Sequence, residues 1–331
     1  MQSFDFLPED IKLIDRMSQE WGLNLYNKAD QLKIADAILA TSDFFIENPS
    51  AKTPWNLRAT QIAYVYYFSP LNALRMHRLF AKDQGRLKKL VVNSVLDWGS
   101  GLASASRTFR THFPQVKTHL VEMAIEPLKI LTHLGTFSSS PEIPQNFDSD
   151  TLVCSYSLTE MSELPSWVFN FNNVFILEPA TQSDGRRLQA WRQKLIDKNY
   201  SIWSPCTHHQ SCPLLTQSKT DWCHDRFAVN APDWFREVEQ HLPMKNNTLT
   251  TSYLVASKQK APALKSESVR LVGDLLREKG KDRQLMCRSS QREFLSWMHK
   301  HGVHPELYRG DLYDLPNEIQ QVAKEVRILS R

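Results

Sequence analysis

From residue 91 onward the sequence alternates short β-branched runs with stretches of helical period. That alternation restricts the fold more than any other feature. "VVNSVLDWGSG" (91–101) is an apolar run that closes on a glycine turn, and "ASASRTFRTHF" follows it with a helical pattern. "KTHLVEMA" (117–124) reads as a second strand, "DTLVCSYSL" (150–158) as a third and "NVFILEPA" (173–180) as a fourth, with "PLKILTHLG" helical between the second and third. "DGRRLQAWRQKLIDKN" is a basic amphipathic helix, and "TTSYLVASK" (250–258) a late strand. Strands joined through helices pair in parallel and need cover on both faces. The expected class is therefore α/β, with a Rossmann-like, mostly parallel sheet.

Residues 1–90 differ in texture. "LPEDIKLIDRMSQEW", "NKADQLKIADAILATSDFFIE" and "TQIAYVYYFSPLNALRMHRLFAKD" all repeat apolar positions at helical spacing. The last is expected to break at Pro70, and no strand is expected in this region. "KQKAPALKSES" (258–268) reads as a polar linker. The organisation expected is a helical N-terminal region (1–90), a core (91–258) with a cysteine-rich insertion at 204–227, and a small C-terminal extension (259–331) that carries Cys287.

The N-terminus has no apolar signal core and is acidic rather than arginine-rich, and no stretch is long enough to span a membrane. A soluble cytoplasmic protein without a membrane partner is expected. In that compartment the five cysteines are not expected to form disulfides, and clustered ones there are more often metal ligands or catalytic groups.

The turn after the first strand places Asp97, Gly99 and Gly101 together, and the second strand ends in Glu122. Glycines allow a tight turn and close approach of a ligand, while an acid at the second strand's end can accept both hydroxyls of a ribose. The turn continues Leu102, Ala103, Ser104 without the third glycine that a pyrophosphate favours. S-adenosylmethionine, which has no pyrophosphate, fits this departure better than a dinucleotide. Ser155, Tyr156 and Ser157 close the third strand, where the transferable methyl group would lie. No catalytic residue is legible, and Cys154 reads as a buried strand cysteine.

"SPCTHHQSCPLLTQSKTDWCHDRF" (204–227) contributes Cys206, Cys212 and Cys223 with His208, His209 and His224. Three thiolates leave a tetrahedral site incomplete, so a fourth ligand must be a nearby histidine or Cys287. Zinc favours shorter gaps between cysteines, while the longer gaps here suit an iron–sulfur cluster; spacing alone leaves both open. Two basic stretches, Arg75, Arg78, Lys82, Arg86, Lys88 and Lys89, and then Arg186, Arg187, Arg192 and Lys194, are candidates for neutralising RNA phosphates. A solvated helix face is the competing reading. The formal charge of +4 is compatible with RNA and does not require it.

"VLDWGSG", "LVCSYSLTEM", "ILEPATQSDGRRLQAWRQKLI", "CTHHQSCPL…DWCH" and "SYLVASK" occur in that order. Together they resemble the methyltransferase-like family of small-ribosomal-subunit assembly factors, known best from mitochondria and present in bacteria, over roughly residues 55–312. The resemblance implies a class I methyltransferase-like fold and a four-iron (4Fe-4S) cluster held by Cys206, Cys212, Cys223 and Cys287, with zinc as the alternative. It also implies the small ribosomal subunit and its rRNA as partners. At the first and third ligands the chain reads Cys206-Thr207-His208 and Trp222-Cys223-His224-Asp225, where the family has Cys-Pro-His and often Trp-Cys followed by His or Asn and Phe. The expectation is an S-adenosylmethionine-dependent methyltransferase acting on small-subunit rRNA, as a monomer and without DNA. The rivals are a non-catalytic assembly factor and a zinc-stabilised RNA-binding protein.

Overall fold

The computed structural model describes residues 1–49, 51–82, 85–145, 148–159, 161–265, 267–302 and 304–329. Glu160 of the third-strand motif and Ser266 of the linker lie outside the described residues. Among the described residues one sheet has nine strands: β1 (Ser3–Asp5), β2 (Ser94–Trp98), β3 (Lys117–Val121), β4 (Ser138–Ser140), β5 (Thr151–Ser155), β6 (Asn173–Glu178), β7 (Ser201–Ser204), β8 (Asp225–Asn230) and β9 (Thr248–Ser257). Their order is β1-β8-β9-β6-β5-β2-β3-β4, with β7 also paired to β9. The strands from β4 to β6 run parallel, and β9 is antiparallel to β6. This is the Rossmann-like, class I methyltransferase-like sheet.

Both faces of this sheet are covered. Phe80 of helix α4 (Ser69–Lys82) and Phe109 of helix α5 (Ser104–His112) pack on Phe175 of β6. Helix α6 (Ile125–Leu131) follows β3, and on the other face Trp191 of helix α7 (Gln182–Asp197) packs among Leu96, Leu152 and Ile176. The N-terminal helices share the core of the far edge. In α1 (Pro8–Trp21), Asp10 pairs with Arg107 of α5 at 2.7 Å, with both side chains buried.

Helix α2 (Lys28–Glu47) is capped by Asn27, whose side chain accepts from the Ala29 and Asp30 amides. The break expected at Pro70 does not occur. Helix α3 (Arg58–Ala63) continues through a π turn (Tyr64–Phe68) into α4 (Ser69–Lys82). The Ser69 amide bonds back to Tyr64 O, so the wider turn accommodates the proline ring and its missing donor. The short β1, parallel to β8, also corrects the expectation of an N-terminal region without strands.

The edge beside β9 is interrupted. β7 pairs with Val255–Ser257 and β8 with Thr248–Thr251, both antiparallel. Residues 205–224 thus leave one edge of β9 and return to the same edge. Beyond the linker the C-terminal extension forms a second sheet. It comprises β10 (Ser268–Glu278), β11 (Lys281–Cys287), β12 (Glu293–Met298), β13 (Leu312–Asp314), β14 (Ile319–Val322) and β15 (Glu325–Ile328), in the order β13-β10-β11-β12-β15-β14.

Asp225, at the start of β8, joins these parts. Its buried carboxylate accepts from Lys82 Nζ of α4 at 2.7 Å and from Arg270 of β10, with Arg78 Nε at 3.9 Å. Burial opposes charge on Asp225, but Arg270, Lys82 and Arg78 outweigh it and hold the carboxyl below its ordinary 3.8. Three cations share one carboxylate, so burial and Arg270 still draw Lys82 down to about 8. Asp225→Ala is expected to destabilise the chain by about 3–5 kcal/mol, the usual penalty for stranding buried charge, measured by denaturant unfolding. Because the folded pKa is depressed, the contribution is complete above pH 3.8 and is lost as pH falls through the folded value. A loss below about 1 kcal/mol, the range of an exposed pair, would contradict this role.

Candidate functional site

Strand order reverses between β2 and β5, and open α/β sheets bind ligands outside the carboxyl ends of the strands at such a point. A cavity of about 580 Å³ lies there, lined by Gly99, Gly101, Glu122, Ser155, Tyr156 and Trp55 among others. Its size falls within the roughly 300–1,000 Å³ of small-molecule sites. Gly99 has φ +66°, and a Cβ there would sit 2.6 Å from Ser157 Cβ, so no other residue fits the turn. The Ser100 and Ser155 hydroxyls are buried beside the cavity without a partner among the described residues. The free hydroxyls and the volume suit a polar ligand of the size of S-adenosylmethionine.

Glu122 Oε2 accepts from Gly101 N and Oε1 from Ala124 N, each at 2.9 Å. Its carboxylate therefore fastens the glycine turn as well as facing the cavity. Asp97 does not line the cavity. It is buried behind the turn, where its carboxylate accepts from the Ser106 amide at 3.1 Å and hydroxyl at 2.7 Å at the start of α5. Burial pushes it up to about 7, against those two bonds. Trp55 belongs to the site although no sequence motif marked it. It comes from the segment before α3, and its ring lies 3.2 Å from where a Gly101 Cβ would be.

A second cavity, of about 40 Å³, opens where residues 205–224 meet the second sheet, and Cys206, Cys212, Cys223, Cys287, Arg192 and Arg270 border it. Burial, then the neighbouring Cys206, Cys212 and Cys223, raise the Cys287 thiol well above its ordinary value. Burial pushes Cys223 up to about 12. Protons on these thiols are favoured until a cation replaces them. Cys154 stays in the core of β5. Among the described residues no three His, Cys, Asp or Glu side chains are grouped to hold a metal ion.

The histidines separate into different roles. His208 Nε2 lies 3.3 Å from Cys287 Sγ, and burial followed by Arg192 lowers it to about 4. His209 Nε2 accepts from Ile202 N at 2.8 Å and fastens the loop to β7. His224 stacks on Trp222, and its Nδ1 lies 3.3 Å from Arg309 Nη1.

The basic stretches are largely turned inward, which corrects their reading as a phosphate-binding face. Arg78 and Lys82 are spent on Asp225, and Arg75 Nε donates to Thr250 O at 3.1 Å. On α7, Arg187 bonds Glu178 at 3.0 Å, while Arg186 donates to the Leu214, Leu215, Ser218 and Asp221 carbonyls of the cysteine loop. Arg192 Nε donates to Cys206 Sγ at 3.0 Å. Gly185 lets Trp222 lie flat on the helix, since a Cβ there would come within 2.6 Å of Trp222 Cδ1. Lys88 and Lys89 remain exposed, and Lys194 pairs with Glu163 near the surface. No described helix is long and apolar enough to cross a membrane.

A reversed-order parallel sheet with a glycine turn, an acid on the neighbouring strand and a cavity between them defines a class I methyltransferase-like protein. The chain belongs to the family described as mitochondrial small ribosomal subunit Rsm22, whose model matches residues 59–310. Among solved structures it is similar to precorrin-6y C5,15-methyltransferase from Geobacter metallireducens, at 12% identity over 65% of this chain and 95% of that one, with a TM-score of 0.35. It is also similar to M. capricolum TrmK in complex with S-adenosyl-homocysteine (10% identity, 59% and 72% covered, TM-score 0.31). A third is magnesium protoporphyrin IX methyltransferase from Synechocystis (11% identity, 67% and 97% covered, TM-score 0.33). No curated protein matches the sequence.

Glu122→Ala removes two charge-assisted bonds, worth about 1.5–3 kcal/mol each, from the turn that shapes the cavity. Calorimetry with S-adenosylhomocysteine is expected to show binding by the intact chain, at least tenfold weaker binding by Glu122→Ala, and none by Gly99→Val. No binding by the intact chain, or equal affinity in all three, would show that the pocket is misassigned.

Proposed function

We propose that the chain is an S-adenosylmethionine-binding, methyltransferase-like factor of the small ribosomal subunit that carries a four-iron cluster at Cys206, Cys212, Cys223 and Cys287. The observation that carries this reading is that one family match, over residues 59–310, takes in both the glycine-turn pocket and all four cysteines of the second cavity. S-adenosylmethionine, when bound, supplies an electrophilic methyl group. Gly99 and Gly101 would admit it to the turn, Glu122 would meet its ribose, and Ser100 and Ser155 offer free hydroxyls beside it.

The chain's own contribution to transfer would be placement and exclusion of water. Tyr156, with φ +59°, and Asn72 also line the pocket, which an RNA acceptor would have to enter. The carboxylates of Asp97 and Glu178 are buried away from it, and Glu122 and Glu142 are the carboxylates that line it. Zinc is the alternative for the second cavity, since the same four thiols are also a complete tetrahedral ligand set for it.

Small-subunit particles from cells that lack this protein are the decisive substrate. With labelled S-adenosylmethionine, the purified chain is expected to leave label in small-subunit RNA, and Gly99→Val to leave none. Particle binding without label would support the non-catalytic assembly factor and exclude methyl transfer to this RNA. Neither binding nor label would overturn the ribosomal assignment.

A further inference from the structure

Four arginines are fully buried among the described residues: Arg78, Arg107, Arg192 and Arg270. Three of them have carboxylate partners. Arg107 pairs with Asp10, Arg270 with Asp225, and Arg78 with Asp225 and Asp311. Arg192 has none among the described residues. Its bonds run from Nε to Cys206 Sγ at 3.0 Å and from Nη2 to His208 O at 2.6 Å, and its buried Nη1 has no partner. A guanidinium does not shed its proton in proteins, and a buried cation without a counter-charge is strongly disfavoured. Besides Tyr253, whose hydroxyl accepts from Arg270, the groups that border the same cavity and can become anionic are the four cysteines.

We infer that Arg192 is the built-in counter-ion of the four-cysteine site, balancing the charge of the bound group and drawing the potential of the bound cluster upward. This rests on the metal reading of the site given above. Neighbouring helix α7 residues make the placement firm. Arg187 ties the helix to Glu178 and Arg186 holds the loop carbonyls, so the guanidinium of Arg192 is delivered to Cys206 from a fixed support. A positive charge beside a ligand sulfur favours the electron-rich state, as hydrogen bonds to cluster sulfurs do. Arg192 is a positioning and charge-balancing residue here and takes no part in methyl transfer.

The test compares the intact chain, Arg192→Gln and Arg192→Lys, all purified without oxygen. S-adenosylhomocysteine binding reports that each core is folded. Reduction by dithionite in the presence of mediators, followed by electron paramagnetic resonance, gives the midpoint potential, and transfer of metal to a chelator gives the release rate. In Arg192→Gln the reduced-to-oxidised ratio at a fixed potential is expected to fall about tenfold, a negative shift of ~59 mV for a one-electron couple. Metal release is expected to be several-fold faster, while Arg192→Lys stays near the intact chain in both measurements. An intact chain that holds metal, beside an Arg192→Gln variant with the same release rate and, for iron, the same potential, overturns the role of Arg192 alone. If the metal is zinc, the iron reading fails and the release rates decide the role of Arg192. An intact chain with neither metal overturns the four-cysteine reading and the counter-ion with it.

Discussion

The Asp225 carboxylate determines how the far ends of this chain meet. It begins β8 two residues after Cys223, and it holds Arg270, which stands opposite Cys287 in the register of β10 with β11. The same carboxylate takes Lys82 from α4. One ion-pair network thus brings the N-terminal helices, the sheet edge and the second sheet to one point, and it delivers the most distant cysteine to the three in the loop. Gly310 passes so close that a Cβ there would fall 2.5 Å from Asp225 Oδ1, so the packing around the network has little slack.

Helix α7 connects that point to the methyltransferase-like sheet. It starts just past Glu178, the last residue of β6, and its first turns bond Glu178 and the loop carbonyls. Burial raises Glu178 to about 7, with Arg187 opposing the shift. The cysteine loop is held from three sides: by α7, by the Ser252 hydroxyl donating to Cys223 O at 2.9 Å, and by the second sheet. An interrupted edge strand is a suitable place for such a loop, because the sheet on either side of the gap keeps its two ends in register.

The central strands were legible because their residues are buried on both faces. Val95, Leu96, Leu152, Val153, Val174 and Phe175 form nearly continuous apolar runs, and each run ends at a turn. The second sheet was not legible, since its longest hairpin carries Arg270, Asp274, Arg277, Glu278, Lys281, Asp282 and Arg283 among its apolar residues, and a charged run looks like an exposed tail. Gly99, Gly101, Glu122 and Ser155 line one cavity, whereas Asp97 sits behind it because its partner is the start of α5. Trp55 could not be found from the motif, being supplied by a segment far from it in the chain. The basic stretches misled for a different reason. Sequence shows that a cation is present but not which acceptors the fold places beside it, and here those acceptors are Asp225, Glu178, loop carbonyls and a thiol.

The proposed function depends most on four cysteines from two separate regions forming one metal-binding site. Iron, acid-labile sulfide and zinc, determined on the full chain purified without oxygen and on Cys287→Ser, test it directly. About four iron and four sulfide are expected per intact chain, the content of a single four-iron cluster, with a marked loss of both in Cys287→Ser. Stoichiometric zinc without iron, or full iron in Cys287→Ser, would contradict it.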